Sequence, residues 1–474
     1  MQFNSFIFFL FFIVATIVYY FVSSNKRNLA LLISNYLFYS YFDYRFSFLL
    51  LSLTSLTYFI GKSIRKSESY ESKKKIITLG ITVNILILGV FKYLNFFSES
   101  FVWLLNQFGL YLDPLTIKII QPLGISFYIF QSLTWLFDNY YEKLDEDYNL
   151  IEFLTFSSFF PTVIAGPIER AHRLMPQIKS NRIFNKENLK AGIYLIVYGL
   201  FRKIFIGDTI GRMINHIFAE PEYFTSFEIF SAILLYAIQI YNDFAGYSNI
   251  AKGVAKVLGF DIMLNFRQPY LANSVTDFWR RWHISFSSWL RDYIFYPLQL
   301  KFRYYGRWGN LIAIILTFLI CGLWHGASLN FVLWGFLHGI YLSAAFLFGN
   351  NSSPLSNKDV SNTNLKLLSV IKTFILVTVA WILFRVENFD TLKTLLFQLS
   401  IFSTGEFVER FLKITLSYYL ISFILDYIEM RFQTENILLK LKPAVALGIS
   451  IVVTILIFSY LLTSDKAPFI YARF

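Results

Sequence analysis

The sequence has few charged residues and almost no cysteine. Charged residues make up 15% of its 474 positions, whereas soluble globular chains carry about 25%. Hydrophobic residues make up 56%, which is more apolar surface than a water-facing shell can cover. The single cysteine, Cys321, excludes an internal disulfide and any cysteine-rich metal site. These shortages exclude a soluble enzyme and indicate an integral membrane protein.

Long apolar runs recur along the whole chain, from residues 3–22 to residues 444–462. A helix that crosses a bilayer needs about 20 mostly apolar residues. The weak, alternating segments of a membrane barrel are not seen. The sequence therefore predicts an all-α, polytopic membrane protein with roughly 10 to 12 transmembrane helices, accompanied by re-entrant and interfacial helices.

Basic residues follow the first and third apolar segments, in "SNKR" and "GKSIRKSESYESKKK". Basic loops stay on the cytoplasmic side of a membrane. Both loops lie there if the N-terminus is outside and residues 29–60 form a helical pair that turns near "FDYR". The net charge of +12 is explained by such loops and the anionic lipid that they face. Nucleic acid is not an expected partner.

The stretch "GNNSSPLSNKDVSNTNLK" is rich in Asn and Ser and is typical of a flexible loop. We expect it to separate a core region from a C-terminal group of helices. The predicted organisation is an N-terminal group of transmembrane helices over residues 1–120, a core over residues 121–348, and C-terminal transmembrane helices with a tail over residues 349–474.

Within residues 259–307, "DFWRRWHISFSSWLRDYIFYPLQLKFRYYGRWGN" is dense in both charge and aromatic rings. Trp and Tyr favour the membrane–water interface, and Arg and Lys extend to the same depth. The composition predicts amphipathic helices that lie on or dip into the membrane, on its cytoplasmic side. An ordinary interfacial anchor is the alternative.

One of the five histidines, His325, lies in the apolar run "GLWHGASLNF", with Ser328 and Asn330 close by. Gly322 and Gly326 are spaced as a pair of small residues that lets helices approach closely. A histidine that only bonds a neighbouring carbonyl in a tightly packed helix is one interpretation. Ionisable groups at membrane depth are expensive and usually functional, so His325 is the leading candidate for chemistry.

Two other histidines have weaker contexts. His338 is more typical of a packing or interface residue. His283, in "RRWHIS", follows Arg280 and Arg281, and we expect these cations to lower its pKa and favour the neutral imidazole. A neutral imidazole can act as a base or bind a ligand by a hydrogen bond, although an anchor helix explains the same residue.

A carboxylate, Asp243, directly follows the apolar run of residues 227–240. It needs a cation or hydrogen-bond donors to stay ionised, and Lys252 and the arginines near residue 280 are candidates. His172 and His216 lie in polar surroundings and receive no role. The histidines are too dispersed to indicate a metal site.

Several stretches are similar to one known family. They are "PLGISFYIFQSLTWLFDNY", "FFPTVIAGPIER", "YGLFRKIFIGD", "QIYNDFAGYSNIAKGVAKVLGFDIMLNFRQPYLANSVTDFWRRWHISFSSWLRDYIFYPL" and "GLWHGASLNFVLWGFLHG". The chain resembles the membrane-bound O-acyltransferase family, and within it the bacterial polysaccharide O-acetylases that act on alginate or peptidoglycan. The resemblance covers nearly all of residues 121–339 and the extreme C-terminus.

This resemblance implies a funnel-shaped helical fold with a thinned centre, where cavities from both sides meet at a signature histidine. That histidine corresponds to His325, and a second family histidine corresponds to His283 on the donor side. Supporting roles are implied or expected for Asp243, Asn265, Trp324, Ser328 and Asn330. Donor binding is expected of Arg280, Arg281, Trp282 and Arg291.

The implied activity is transfer of acetyl from cytoplasmic acetyl-CoA across the bacterial inner membrane, by a multi-pass protein, to an extracytoplasmic glycan. His325 would take a proton from the nucleophile or carry the acyl group itself. Basic residues would hold the phosphates of coenzyme A. The resemblance also implies a periplasmic or secreted SGNH-hydrolase-like partner, and no cofactor beyond the acetyl-CoA substrate.

Peptidoglycan is the first expected acceptor, before alginate or another exopolysaccharide, because the Phe-, Ile-, Lys- and Asn-rich composition is typical of an AT-rich genome. Two features depart from the family pattern. Relatives often have a glycine pair after "YIPL", where this chain reads "YPLQLKFRYYGRWGN", and its tail is "APFIYARF". Tyr471 in that tail is a candidate acyl carrier by analogy with teichoic-acid relatives, and a simple anchor is the alternative.

Two rival functions are considered. The first is transfer of D-alanine to teichoic acid from a carrier-protein thioester, which a basic cytoplasmic face would also suit. The second is a transporter without chemistry. Such a protein would show inverted repeats and paired broken helices, and the sequence shows neither.

Overall fold

The structure is a computed structural model, and it describes residues 1–110, 119–348, 366–405 and 408–463. Every regular element in these ranges is a helix, which confirms the predicted all-α class. The chain divides into two compact units, residues 1–193 with 251–263 and residues 194–250 with 264 onward. The predicted three-part division relied on a loop that lies almost wholly outside the described residues, and it stays a prediction.

The helices are given in chain order. They are α1 (Phe6–Phe21), α2 (Arg27–Ser40), α3 (Tyr44–Lys66), α4 (Tyr70–Leu88), α5 (Leu94–Gln107), α6 (Ile125–Tyr140), α7 (Leu150–Ser157), α8 (Ala171–Lys179), α9 (Lys186–Leu200), α10 (Thr209–Ala219), α11 (Ser226–Val257), α12 (Val275–Arg281), α13 (Ile284–Leu290), α14 (Tyr296–Lys301), α15 (Gly306–His325), α16 (Leu329–Phe348), α17 (Leu367–Arg385), α18 (Phe389–Ser400), α19 (Val408–Arg431) and α20 (Pro443–Thr463). Segments of π-helix join some of them, at Gly89–Tyr93, Phe201–Asp208 and Arg291–Phe295.

Seven helical stretches in the described part of the chain are long and apolar enough to cross a membrane. Two shorter apolar helices, Phe6–Phe21 and Pro443–Ile457, accompany them. The chain is therefore a multi-pass membrane protein. The seven stretches are Tyr44–Lys66, Tyr70–Gln107, Ser226–Val257, Arg303–His325, Leu329–Phe348, Leu367–Arg385 and Val408–Arg431.

The predicted total of roughly 10 to 12 spans is higher than this number. One reason is that apolar runs were counted as spans although buried charges interrupt them. Residues 191–206 are an example, because they contain Arg202 and Lys203, which are both buried inside the protein. A helix of this kind faces other helices and does not need a continuous apolar surface.

The first unit is built around the indole ring of Trp135 on α6. Tyr58 of α3 stacks on this ring at a centroid distance of 5.9 Å, and Phe153 of α7 lies at 4.9 Å. The side-chain amide of Asn84 on α4 donates to the hydroxyl of Thr57 on α3 at 3.1 Å. Polar side chains of this kind join neighbouring helices where no water competes.

The second unit has an aromatic core to which short helices and long helices both contribute. Trp279 and Trp282, from the segment predicted to be interfacial, are 2% and 1% exposed. Trp282 contacts Trp381 of α17 at 4.9 Å, and Trp279 contacts Trp334 of α16 at 5.9 Å. The prediction of an interfacial segment is therefore wrong for these two residues, because their rings fill the protein interior.

The same segment becomes exposed towards its C-terminal end. Tyr304, Tyr305 and Trp308 are all largely exposed, as expected for rings that meet the membrane surface. The segment thus supplies core residues first and surface residues later, and the residues of chemical interest lie in its buried part.

Candidate active site

His325 is the last residue of α15, which belongs to a candidate membrane span. Its side chain is buried, with 2% of the residue exposed. Gly326 continues in extended backbone, and α16 begins three residues later at Leu329. The histidine therefore lies at the end of a membrane-spanning helix, where the chain turns back.

Close packing of α15 against α16 fixes this turn. A side chain on Gly322 would meet the carbonyl oxygen of Phe331 at 2.2 Å, and one on Gly335 would meet the carbonyl oxygen of Phe318 at 2.2 Å. Only glycine allows this approach at both positions. Gly322 was predicted to permit close packing, but its counterpart is Gly335 of α16, because Gly326 lies beyond the helix end.

Aromatic rings surround the imidazole of His325. Trp324 lies at a centroid distance of 4.6 Å, Trp334 at 4.9 Å and Phe384 at 5.0 Å. The rings of Trp334 and Phe384 meet the imidazole edge-on, at 87° and 74°. These contacts hold the imidazole plane and exclude water from it, which is the environment that an acyl-transfer centre requires.

His283 precedes α13 and has a left-handed backbone, with φ of 43° and ψ of 54°. This conformation is uncommon for residues other than glycine, although asparagine, aspartate and histidine adopt it more often than the rest. Asn265 stabilises the two residues that follow His283. The backbone carbonyl of Asn265 accepts the Ile284 amide at 2.9 Å, and its side-chain oxygen accepts the Ser285 hydroxyl at 2.6 Å. Asn265 also donates to Ser248 of α11 at 3.0 Å.

The structure brings His283 and His325 to the same pair of aromatic residues. Phe286 stacks on His283 at 5.1 Å and meets His325 edge-on at 5.9 Å. Trp324 stacks on Phe286 at 4.1 Å and lies 6.1 Å from His283. Two histidines that are 42 positions apart in the sequence (325 − 283) therefore belong to one aromatic cluster.

His283 is buried, with 1% exposed, and lies outside the candidate spans. Burial lowers its pKa and favours the neutral imidazole. The predicted direction is therefore the same, but the cause is burial and not the neighbouring arginines. A neutral imidazole can accept or donate one hydrogen bond at neutral pH without carrying a charge.

Ser328 and Asn330 support the turn after His325. The Ser328 side chain accepts the amide of Asn330 at 3.3 Å, at the start of α16. The side chain of Asn330 donates to the carbonyl of Val386 at 3.0 Å, directly after α17. This bond ties the end of α17, and with it Phe384, to the turn that contains His325.

The residues expected to bind the donor separate into two groups. Arg281 is buried and paired with Asp277 at 2.9 Å, and Trp282 belongs to the aromatic core. Arg280 and Arg291 are only partly buried. Partial burial lowers the pKa of Arg280, Asp277 raises it, and the positive charge of Arg291 lowers it. Arg291 is also paired with the neighbouring Asp292 at 2.8 Å.

Asp243 on α11 pairs with Lys203, and Lys203 also pairs with Asp208. All three residues are buried, with 1% to 3% exposed. The sequence did not predict Lys203 as the partner of Asp243, because 40 positions separate them. This charged group helps to hold the π-helical segment Phe201–Asp208 against α11.

His338 is fully buried in the same aromatic core. Its Nδ1 accepts a hydrogen bond from the indole of Trp279 at 3.2 Å, and its ring lies 4.9 Å from Trp334. Trp334 therefore touches both His338 and His325. This geometry supports the packing role expected of His338.

Sequence reasoning did not name Phe286, Trp334 or Phe384. Phe286 could have been suspected, because it lies only three residues after His283, in the first turn of the helix that His283 precedes. Phe384 is brought to His325 by tertiary packing alone. Tyr471, the candidate acyl carrier, lies outside the described residues. Within the described ranges, no group of three or more histidine, cysteine or acidic side chains could hold a metal ion.

Comparison with known proteins adds a second line of support. The sequence model of the MBOAT, membrane-bound O-acyltransferase family matches residues 67–384. The probable alginate O-acetylase AlgI of Pseudomonas aeruginosa is 36% identical over 394 residues, covering 82% of this chain and 72% of the relative. The peptidoglycan O-acetyltransferase of Helicobacter pylori is 31% identical over 409 residues, covering 79% and 74%.

A teichoic acid D-alanyltransferase from Bacillus subtilis is 30% identical over 247 residues, covering 49% of this chain and 60% of the relative. The chain belongs to the membrane-bound O-acyltransferase family, and it is a membrane-bound acyltransferase. The resemblance drawn from the sequence motifs is confirmed.

Proposed function

We propose that the protein transfers acetyl groups from cytoplasmic acetyl-CoA, across the bacterial inner membrane, to hydroxyl groups of an extracytoplasmic glycan. The observation that carries the proposal is the burial of His325 at the end of a spanning helix, in an aromatic cluster shared with His283. Acetyl as the transferred group is supported by the alginate and peptidoglycan relatives, which align over 82% and 79% of this chain.

In the proposed reaction, His325 is the general base. It takes the proton from the acceptor hydroxyl while the oxygen forms a bond to the acetyl carbon. The carbon–sulfur bond of the thioester then breaks, and the imidazolium returns the proton to the leaving thiolate. The products are an acetate ester and coenzyme A with a free thiol, so protons and atoms balance. An acetyl group carried briefly on the imidazole would give the same products.

Three features of the site suit this reaction. The aromatic rings around His325 exclude the water that would hydrolyse the thioester. His283, buried and neutral, offers a hydrogen bond without a charge. Arg280 and Arg291, which are partly exposed, provide two cations for the phosphates of coenzyme A. Arg281 and Trp282 are assigned instead to holding the segment that contains these residues.

The glycan and the partner are inferred more indirectly. Peptidoglycan and alginate are both acceptors named among the relatives, and the composition of the chain favours peptidoglycan. A periplasmic or secreted SGNH-hydrolase-like protein is proposed to complete delivery. Transfer of D-alanine is less favoured, because the D-alanyltransferase relative covers only 49% of this chain.

The proposal is tested by reconstitution in liposomes that enclose peptidoglycan or alginate fragments as acceptors, with radiolabelled acetyl-CoA added outside. Wild type should consume acetyl-CoA and release coenzyme A, and His325→Ala should lower turnover at least about 100-fold, because a positioned acid–base group contributes roughly 10²–10⁴-fold. A matched control is His216→Ala. His216 is an exposed histidine of α10 to which no role is assigned, so its replacement should leave turnover unchanged.

The outcomes separate the candidate donors. Turnover of acetyl-CoA that survives in His325→Ala would contradict the proposed base. No turnover of acetyl-CoA by wild type, with turnover of a D-alanyl carrier-protein thioester in its place, would replace the acetyl donor by the D-alanyl one. Comparison of liposomes that enclose peptidoglycan fragments with liposomes that enclose alginate fragments, by mass spectrometry for acetate esters, then identifies the acceptor.

A further inference from the structure

Glu429, near the end of α19, lies in a buried network of hydrogen bonds within the second unit. One carboxylate oxygen accepts from the hydroxyl of Tyr198 and, at 2.9 Å, from the guanidinium of Arg202. The other oxygen accepts from the side-chain amide of Gln268 at 2.8 Å. Glu429 and Gln268 are 7% and 8% exposed. Both oxygens of this buried carboxylate thus accept hydrogen bonds, and one of them accepts the bond from Gln268.

Gln268 has an unusual backbone. Its φ of 44° and ψ of 64° place it in the left-handed region, which glutamine rarely adopts. Such a conformation is energetically costly and persists only where the surroundings hold it. The amide bond to Glu429 is a direct restraint on this residue, and Pro269 fixes the chain that follows.

A short path leads from Gln268 to His283 through the backbone and one hydrogen bond. The amide of Arg267, the preceding residue, donates to the carbonyl of Arg281 at 3.0 Å. Arg281 lies two positions before His283, and its side chain is paired with Asp277. A shift of Gln268 therefore moves Arg267 and Arg281, and the displacement reaches His283 through two peptide units.

We infer that Glu429 is a positioning residue, which fixes Gln268 and thereby sets the location of His283 in the aromatic cluster. The inference rests on the proposed function, because it assigns His283 to the site of transfer. It also gives a role to α19, which lies beyond residues 67–384, the part matched by the family. On this view α19 contributes to catalysis through the contact of Glu429 with Gln268.

Two substitutions at Gln268 break this contact in different ways. Gln268→Glu keeps the size of the side chain but sets a second carboxylate against Glu429. Gln268→Asn tolerates the left-handed backbone but is one methylene too short to reach Glu429. Both should lower kcat about 10- to 100-fold, as expected for a small misplacement of a reacting group, with the KM for acetyl-CoA changed less than about threefold.

Exchange of the two side chains provides the rescue. In the double variant Gln268→Glu with Glu429→Gln, the amide at position 429 donates to the carboxylate at position 268, and the total charge of the network is unchanged. The kcat should return to within about threefold of wild type. A double variant as slow as Gln268→Glu alone would overturn the inference, since restored bonding would then have no effect.

Asp426 provides a control within the same network. It accepts from Arg202 at 3.0 Å and from the hydroxyl of Tyr241 at 2.7 Å, and these bonds do not involve Gln268. Asp426→Asn should lower the melting temperature but leave kcat within about threefold of wild type. An equal loss of kcat in Asp426→Asn and Gln268→Asn would show that the contact of Glu429 with Gln268 only stabilises the fold, and it would overturn the inference.

Hydrogen–deuterium exchange separates this inference from the proposed function. Amides in residues 265–284 should exchange faster in Gln268→Asn than in wild type, and the exchanged-pair variant should restore protection. This comparison needs no substrate. Wild type that fails to use acetyl-CoA would end the proposed function and leave the exchange test standing. Unchanged exchange, or faster exchange with full turnover, would overturn the positioning role.

Discussion

The left-handed backbone of His283 affects the stability of variants at this position, in addition to the loss of the imidazole. Alanine at this position loses the imidazole and also meets the steric penalty of positive φ, whereas glycine meets no such penalty. We therefore expect His283→Gly to be more stable than His283→Ala by about 1 kcal/mol, the reverse of the usual order. Thermal unfolding in detergent measures the difference.

Turnover separates the chemical role of His283 from the backbone effect. Both variants should lose activity by a similar factor, because both lack the ring that stacks on Phe286. His283→Asn, which tolerates positive φ, should be stable and also slow. Full activity in any of the three variants would show that the imidazole is dispensable for transfer.

The sequence singled out the two candidate histidines but not their surroundings. His325 and His283 could be singled out because ionisable groups in apolar or aromatic stretches are rare and the neighbouring motifs are specific. The contact of Phe384 with His325 could not be predicted from the sequence, since it depends on how α17 packs. The pairing of Asp243 with Lys203 also depends on tertiary packing, and a nearer lysine, Lys252, was the natural candidate.

At the scale of the helix, the contact of Gly322 with Gly335 is the closest approach that supports the site. Gly335→Ala places a methyl group 2.2 Å from the carbonyl oxygen of Phe318. The two helices must then move apart, at a cost of about 1–3 kcal/mol. We expect a melting temperature lowered by several degrees and reduced turnover, because His325 ends the displaced helix.

Gly448 of α20 is the matched control for this prediction. A side chain there has nothing within 4 Å, so Gly448→Ala should leave turnover unchanged and stability equal or higher, given the better helix propensity of alanine. Comparison of the two variants in one detergent measures the effect of close packing alone. Equal melting temperatures would contradict a tight α15–α16 contact.

Helices were predicted well where apolar runs are long and poorly where aromatic residues and charge alternate. The run at residues 329–348 forms α16 as expected, because period and length both favour a helix. The charged and aromatic segment within residues 259–307 is predicted to be interfacial from its composition. Composition does not distinguish a tryptophan at the membrane surface from one in a protein core, and Trp279 and Trp282 are in the core.

For the whole molecule, the single buried cysteine makes topology directly measurable. Cys321 is fully buried, so an impermeant thiol reagent should not label the native chain. Ser69→Cys, in the exposed and basic loop before α4, should be labelled only after the membrane is opened. Tyr44, the first residue of α3, is 67% exposed, and Tyr44→Cys should be labelled from outside while the membrane is intact.

This pair of labels also tests whether α3 crosses the bilayer, because residues 44 and 69 lie at its two ends. With 23 residues, α3 is about 35 Å long, which is enough to cross the roughly 30 Å of a typical hydrocarbon core. Labelling on opposite sides is the result that a crossing helix predicts. Labelling of both cysteines from one side would contradict the predicted topology.

The sequence could predict the class of the molecule but not its division. Low charge and repeated apolar runs are sufficient to indicate a helical membrane protein. The two compact units are not contiguous in sequence, since residues 251–263 belong with the first unit. The order of motifs along a chain cannot show that a later segment packs in the same compact unit as an earlier one.

The π-helical segment Phe201–Asp208 has a consequence for chain length. Its hydrogen bonds span five residues in place of four, so it accommodates extra chain without a break in the helix. Within it, the adjacent residues Arg202 and Lys203 reach different acidic partners, Asp426 with Glu429 and Asp208 with Asp243. Deletion of one residue would rotate the following helix by about 100° and separate these partners. Substitutions in this segment should therefore be tolerated better than a deletion, because the ion pairs depend on the number of residues in it.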